Sequence, residues 1–354
     1  MINIIFFIII FTITLGILVF VHEFGHFLVA KKSGVKVERF SLGFPPKMIG
    51  KKIGDTEYCI SWVPLGGYVK MAGENPDEEK EKWEPFEFLG KPAWQRGLII
   101  VAGPVMNFLF AVVLFWGVAF FSGKEIVHYE KTTIGIVGKG TPAEKAGLKS
   151  GDQVISVNGV EVKNFNDMAQ IIYKEVEKPI TLKWKRGNEV YEAQVTTIKE
   201  KVQDENGKTQ EVGKIGISPE FIVVRLNIFQ AFIEGIGSTV FIAVESVKFI
   251  IRLFTGRASL KDVGGPIFIA RTAGETAKLG LASFFSLIAL LSVSLSSLNI
   301  LPIPVLDGGH ILFLGLEKLR GKPLSLKQRA IIQQIGLVFL LVLMIYVSYN
   351  DILR

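Results

Sequence analysis

Phe20-Val21-His22-Glu23-Phe24-Gly25-His26-Phe27 sets two histidines and a glutamate at the end of a long apolar run. An α-helix turns about 100° per residue, so His22 and His26, four apart, stand about 40° from each other on one face. Two imidazoles there can reach one tetrahedral cation. Glu23, one step round the helix, can touch a water in the cation's open position. The spacing by itself occurs by chance in many soluble chains; its setting here is unusual. Ile4 to Val21 is almost unbroken Ile, Phe, Leu and Val, which reads as a helix spanning a bilayer. Ionisable groups at the end of such a helix are costly in lipid and mark function.

The whole chain shares this character. It has 354 residues, 49% of them hydrophobic, and a mean hydropathy of +0.40. Those values point to an integral membrane protein rather than a soluble domain. The formal charge of +7 is spread among carboxylates, so no nucleic-acid footprint is present. Cys59 is the only cysteine, which excludes an intrachain disulfide and a Cys-based zinc site. The N-terminus has no basic leader region and no small-residue cleavage site, so its apolar run is expected to be retained.

Four segments are predicted to span the bilayer: residues 4–30, 97–121, 281–303 and 331–347. A fifth apolar stretch, residues 228–254, carries Glu234, Glu245, Lys248 and Arg252 at near-helical spacing. It predicts an amphipathic helix on the membrane surface, followed by a linker to residue 280. Lys31, Lys32, Lys36 and Arg39 follow the first span, Arg96 precedes the second, and Lys318, Arg320, Lys322, Lys327 and Arg329 lie between the third and fourth. Short loops rich in Lys and Arg face the cytoplasm. Both chain ends and residues 122–227 are therefore expected on the far side.

Residues 53–71 alternate as strands, with Gly66-Gly67 reading as a turn, and residues 74–87 read as a solvated acidic loop. Beyond the second span, short strands near 134–137, 153–159 and 180–184 and a helix over 166–175 mark a separate module, residues 126–226. Within it, Thr141-Pro142-Ala143-Glu144-Lys145-Ala146-Gly147-Leu148-Lys149-Ser150-Gly151-Asp152 resembles the turn-helix-turn signature of a PDZ domain. Such domains add an extended peptide to a sheet edge and capture its terminal carboxylate. Gly213-Lys214-Ile215-Gly216-Ile217 resembles the receiving loop and strand of the circularly permuted bacterial form, with Gly213, Ile215, Gly216 and Ile217 as ligand-loop residues. An ordinary glycine-containing hairpin is the alternative.

The second half of the metal site is Asn299-Ile300-Leu301-Pro302-Ile303-Pro304-Val305-Leu306-Asp307-Gly308-Gly309-His310. Pro302 and Pro304 each remove a backbone donor and break the helix, while Gly308-Gly309 permit close backbone approach. Broken helix at membrane depth is tolerated only where it is buried in protein or lines a cavity. A carboxylate there needs a partner, and a cation is the natural one for Asp307. The first and third spans run in the same direction, so His22 and Asp307 fall at similar depth. Two imidazole nitrogens and one carboxylate oxygen leave a fourth position for water. Imidazole suits zinc, although spacing leaves iron and cobalt open.

With these pieces together, the chain resembles the site-2 protease family of intramembrane zinc metalloproteases, of the bacterial regulator-of-sigma-E protease (RseP) type. The matching stretches are His22 to His26, Ala102-Gly103-Pro104-Val105-Met106-Asn107, the PDZ signature, Gly264-Gly265-Pro266, and Asn299 to Gly309. The resemblance implies one zinc ion held by His22, His26 and Asp307, with Glu23 as general base and Asn299 touching substrate near the metal. It makes residues 53–71 a membrane-associated β-loop with Gly66, Gly67 and Tyr68 on its substrate-facing edge. It implies single-span membrane substrates, such as anti-sigma-factor-like proteins or remnant signal peptides. The location implied is the bacterial cytoplasmic (inner) membrane, with the PDZ domain outside, where it recruits new C-termini or excludes bulky substrates.

The expected fold is thus a polytopic α-helical membrane protein with four transmembrane helices, a membrane-associated β-loop and one inserted PDZ domain. The segments are residues 1–125, 126–226, 227–280 and 281–354. Relatives in gamma-proteobacteria carry tandem PDZ domains, whereas this spacing has room for one. Gly43-Phe44-Pro45 stands where some relatives have Gly-x-Gly, and His310 reads as structural. Two other readings are a metal-ion transporter, against which no inverted repeat is visible, and an inactive PDZ scaffold, against which no ligand or base is missing.

Overall fold

The computed structural model describes residues 2–74, 82–203, 209–321 and 324–353. Two units result, Ser122–Leu226 and a second one made of Met1–Phe121 with Asn227–Arg354. In chain order the elements are α1 (Ile2–Lys32), β1 (Val37–Ile53), β2 (Thr56–Met71) and α2 (Ala93–Ser122). The inserted unit holds β3 (Lys124–Val127), β4 (Ile134–Val137), α3 (Pro142–Lys145), β5 (Gln153–Val157), β6 (Val160–Glu161) and α4 (Phe165–Lys174). It continues with β7 (Pro179–Arg186), β8 (Glu189–Thr196), β9 (Ile198–Gln203), β10 (Thr209–Lys214), β11 (Ile217–Pro219) and β12 (Phe221–Val224). Among the described residues, five α-helices follow: α5 (Ile228–Phe254), α6 (Pro266–Leu279), α7 (Leu281–Asn299), α8 (Asp307–Arg320) and α9 (Leu326–Leu353), with a 3-10 turn at Leu260–Asp262.

Among the described residues, four helices are long and apolar enough to cross a membrane, and they are α1, α2, α7 and α9. They coincide with the four expected spans, with one correction: the third ends at Asn299, not at residue 303. Prolines at 302 and 304 cannot donate to the helical ladder. The chain turns instead through Leu301 N–H to Leu298 O (3.0 Å) and Leu306 N–H to Ile303 O (2.9 Å), then restarts as α8. Charged loop residues 318–320 consequently belong to a helix, while Lys322 lies outside the described residues.

The expected linker before residue 280 is corrected as well, because it contains α6. Gly265 at its N-cap has no side chain to cap with, and Pro266 occupies the first helical position, where a missing N–H costs nothing. Asp351 of α9 supplies the cap instead, accepting from Gly265 N (3.1 Å) and Phe268 N (2.9 Å). Gly264-Gly265-Pro266 is thereby a packing joint between two helices. The amphipathic stretch forms α5 as expected, capped by Asn227. Its small residues Ala231, Gly235 and Thr239 are buried, and Trp116 Nε1 donates to Ile228 O at 3.1 Å.

The β-loop is larger than expected, and Gly66-Gly67 is not a turn. Both glycines lie inside β2, and the reversal falls at Gly54-Asp55 between the paired residues Ile53 and Thr56. Gly43 and Pro45-Pro46 interrupt the alternation that would have revealed β1. There the strand bends, so Arg39 to Leu42 pair with Lys70 to Gly67 on one side and lie beside Glu57 to Ile60 on the other. Two strands thus give four segments, with residues 67–71 at one margin of the sheet. The acidic loop is exposed as expected at Glu74, Lys82 and Glu84, and is corrected only at its end; residues 75–81 lie outside the described ones. Beyond them the chain folds back, with Lys36 N–H to Phe86 O (2.9 Å) and Phe88 N–H to Ala72 O (2.8 Å). Glu87 is buried rather than solvated.

The inserted unit has its own core, in which Ile134, Val154, Met168, Ile180, Leu182 and Trp184 are buried. Strands β6-β5-β7-β8 form its largest sheet. Its signature stretch has local reasons to fold as it does. Thr141 caps α3 and Pro142 starts it. Asp152, fully buried, holds Arg186 by two bonds, Nε to Oδ1 (2.7 Å) and Nη2 to Oδ2 (2.8 Å).

Candidate metal centre

Helix α1 brings His22 and His26 onto one face, with their Nε2 atoms 3.2 Å apart. Asp307 meets both, at 3.1 Å from His22 Nε2 and 3.5 Å from His26 Nε2. One ligand atom from each of the three lies within 4.8 Å of the others. His26 Nδ1 stands 2.8 Å from Ile99 O. A carbonyl only accepts, so the imidazole hydrogen sits on Nδ1 and the Nε2 lone pair faces the other ligands. Nitrogen lone pairs and a carboxylate aimed at one point repel each other unless positive charge lies between them. Asp307 Oδ2 is moreover buried with no hydrogen-bond partner among the described residues. Two nitrogens, one oxygen and a free fourth direction are the donor set of a catalytic zinc site.

The neighbouring helix is cut to fit this cluster. A Cβ on Gly103 of α2 would lie 2.3 Å from His26 Nε2 and 2.8 Å from His22 Cε1. One on Gly25 of α1 would lie 2.3 Å from Ala102 O. Helices α1 and α2 therefore meet backbone to backbone at the histidine pair. Helix α7 fastens α2 there, because Ser296 Oγ donates to Pro104 O and Ser292 Oγ to Asn107 O, each at 2.8 Å. The Gly103-Pro104 step inside an apolar span is the sequence signal for this clearance.

Asp307 sits in the first turn of α8, where the helix dipole favours a carboxylate. Gly308 and Gly309 press this turn onto the proline-broken stretch: their Cβ atoms would meet Ile300 O and Leu301 O at 2.2 Å, and Ile303 O at 2.3 Å. Asn299, the last residue of α7, places Nδ2 3.4 Å from both ring nitrogens of His22. His310 lines the same cavity, but its nitrogens are outside the converging set.

That cavity has a volume of about 630 Å³ and is lined by His22, Glu23, His26, Tyr68, Asn299 and Asp307 among others. Strand β2 reaches it because Gly67 has no side chain; a Cβ there would stand 3.0 Å from Val19 Cγ1 and 3.2 Å from Glu23 Cγ. Gly66 lies under the ring of Phe44, whose Cε2 would be 2.4 Å from a Cβ. Phe44 in turn stacks on Tyr68, with centroids 6.5 Å apart. Arg39 donates to the Tyr68 hydroxyl at 3.2 Å. Another stretch of wall is an ion pair, with Arg96 of α2 donating twice to Glu317 of α8 (2.7 and 3.2 Å). Arg329 of α9 stands 3.7 Å from the same carboxylate.

The four residues expected to form a peptide-binding loop lie in the inserted unit. Gly213 belongs to β10, opposite Lys199 of β9. Ile215 is buried in the core, Gly216 has φ of 84° and accepts from Gly138 N–H at 2.9 Å, and Ile217 opens β11 opposite Val137.

A membrane-length helix that holds two imidazoles, and a shorter helix that brings a carboxylate to them at one cavity, define a helical metalloenzyme. The model of peptidase family M50 matches residues 10–343, and the chain belongs to that family. Regulator of sigma-W protease RasP of Bacillus subtilis is 31% identical, over 97% of this chain and 97% of its own length. "Putative zinc metalloprotease R01501" of Rhizobium meliloti is 35% identical over 97% of this chain and 95% of its own. A PDZ domain of an SdrC-like protein from Listeria monocytogenes aligns with 27% of this chain and 92% of its own, at 21% identity and TM-score 0.21. The protein is a zinc metalloprotease with four helices of membrane-spanning length among its described residues.

Proposed function

We propose that this protease cuts single-span membrane proteins within or next to their transmembrane segment. The observation that carries the reading is the convergence of His22, His26 and Asp307 beside Glu23 in a cavity walled by membrane-length helices and by β2. When bound, zinc supplies the Lewis acidity that makes a water nucleophilic near neutral pH. His22, His26 and Asp307 hold the ion. Glu23, on the next step of α1 and outside the ligand set, takes the water's proton at its carboxylate and hands it to the leaving amine. The Asn299 amide, next to His22, donates to the substrate carbonyl and turns it toward the cluster.

A peptide bond in a transmembrane helix is shielded by its own hydrogen-bond ladder, so it must be unwound before it is cut. Residues 67–71, at the margin of the β-loop sheet and in the cavity wall, accept an unwound segment as an added strand. The substrate's lost helical bonds are replaced by bonds between the chains. A relative named for regulating sigma-W supports a substrate of the anti-sigma-factor kind; remnant signal peptides share the same single-span chemistry. The inserted unit is read as a PDZ domain on the extracytoplasmic side, and α5 as its membrane-surface neighbour in sequence.

Purified protein in detergent should cut a single-span peptide inside its apolar stretch. Chelation should abolish the cut and added zinc restore it. Cutting of a soluble, unstructured peptide with no cleavage of the membrane one would overturn the reading. Orientation is tested separately in intact cells carrying Cys59→Ser. A cysteine placed at Arg320 should resist impermeant thiol reagents, whereas one at Lys149 should react once any outer barrier is opened. The reverse pattern would overturn the assigned sides.

A further inference from the structure

Asn107, the last residue of the Ala102 to Asn107 motif, has no task in the scheme above. Its side chain is wholly buried on α2. Its Nδ2 stands 3.3 Å from His22 Nδ1, and its Oδ1 is buried with no hydrogen-bond partner among the described residues. The two ends of an amide have almost the same shape, so the partners they face decide which is which. His22 Nε2 is the nitrogen turned toward His26 Nε2 and Asp307. A ring nitrogen that gives its lone pair to a metal leaves the hydrogen on the other, here Nδ1. Nδ1–H against an NH2 group sets donor against donor. Turning the amide about its Cβ–Cγ bond brings Oδ1 to Nδ1–H, pairing that oxygen with that hydrogen and moving the NH2 to the other side.

The rival acceptor is Asn299, but its amide stands 3.4 Å from Nδ1 and equally far from Nε2, and it lines the cavity where substrate enters. Asn107 is closer, fully buried, and fixed through its own carbonyl by Ser292. It also completes a pattern. His26 Nδ1 already has an acceptor on α2, the Ile99 carbonyl, and Asn107 lies about two turns further along the same helix.

We propose that Asn107 is a positioning residue: its Oδ1 accepts the hydrogen of His22 Nδ1 and so holds His22 Nε2 ready as a zinc ligand. Helix α2 then orients both imidazoles, one through a main-chain oxygen and one through a side-chain oxygen. The inference rests on the reading of His22 as a metal ligand.

The test measures zinc affinity of the purified full-length chain by competition with a chromophoric chelator, with no cleavage assay involved. Asn107→Leu keeps the branched outline, with bulkier methyl ends, and removes the acceptor, and zinc should bind about 10- to 100-fold more weakly. Asn107→Asp can only accept, so it should hold zinc close to the wild-type affinity. If Asn107 instead donated to His22, Asp would set two acceptors face to face and zinc would be weakened as in the Leu variant. Equal weakening in Leu and Asp, or no weakening in Leu, overturns the proposal. Should the Leu variant not fold, the Asp variant alone decides: zinc retained supports it, zinc lost overturns it. Wild-type protein without zinc would fail the metal reading and this inference with it, whereas zinc-loaded wild type with an unaffected Leu variant fails this inference alone.

Discussion

Glu23→Gln is expected to keep its zinc and to lose about 10²- to 10⁴-fold in cleavage rate, the range typical of a missing general base. Glutamine has the same shape, and Glu23 is outside the group of converging ligand atoms, so the ion stays held by His22, His26 and Asp307. An amide cannot take the proton that the carboxylate takes. His26→Ala should behave differently, losing zinc and cleavage together, because it removes one of three ligands. Metal content per chain and single-turnover cleavage of one membrane peptide separate the two cases. Cleavage within tenfold of wild type in a zinc-loaded Glu23→Gln protein would remove Glu23 from the chemistry.

Gly103→Ala should be nearly as damaging although it adds one methyl group. That carbon would stand 2.3 Å from His26 Nε2 and 2.7 Å from His26 Cε1, far inside van der Waals contact. Helix α1 has little room to yield, since Gly25 already lies against Ala102 on the same α2 turn. Nor can α2 easily withdraw while Ser296 and Ser292 hold it to α7. The imidazoles must swing away from Asp307, so zinc affinity should fall by at least about 100-fold, at the upper end of effects that disturb ligand orientation. Gly117→Ala, on the same helix with open space around its Cβ position, is the control and should bind zinc normally. A Gly103→Ala protein with wild-type zinc affinity would mean that α1 and α2 do not meet as described.

The four long helices were legible in the sequence because an apolar run of span length has few other uses, and hydropathy along the chain is a local property. His22 and His26 were legible for the same reason, since four residues of helix put two side chains on one face. Asp307 was legible because a carboxylate beside two prolines and two glycines in an apolar setting calls for a partner. Elements whose pattern is interrupted were not. Strand β1 is bent at Gly43 and Pro45-Pro46, α8 is short and mixed in polarity, and α6 borrows its cap from Asp351, far away in sequence.

Local pattern thus determined which residues the proposed chemistry uses: two imidazoles, a base beside them and a distant carboxylate. Tertiary structure alone decided what surrounds them. That Gly103 leaves space for a pair of rings, that Asn107 and Ile99 face the two Nδ1 atoms, and that Gly67 lets a strand touch α1 are all contacts between segments far apart in the chain. No periodicity records such contacts. They exist because close-packed helices and strands must fit atom against atom, and that fit is set only when every partner is in place.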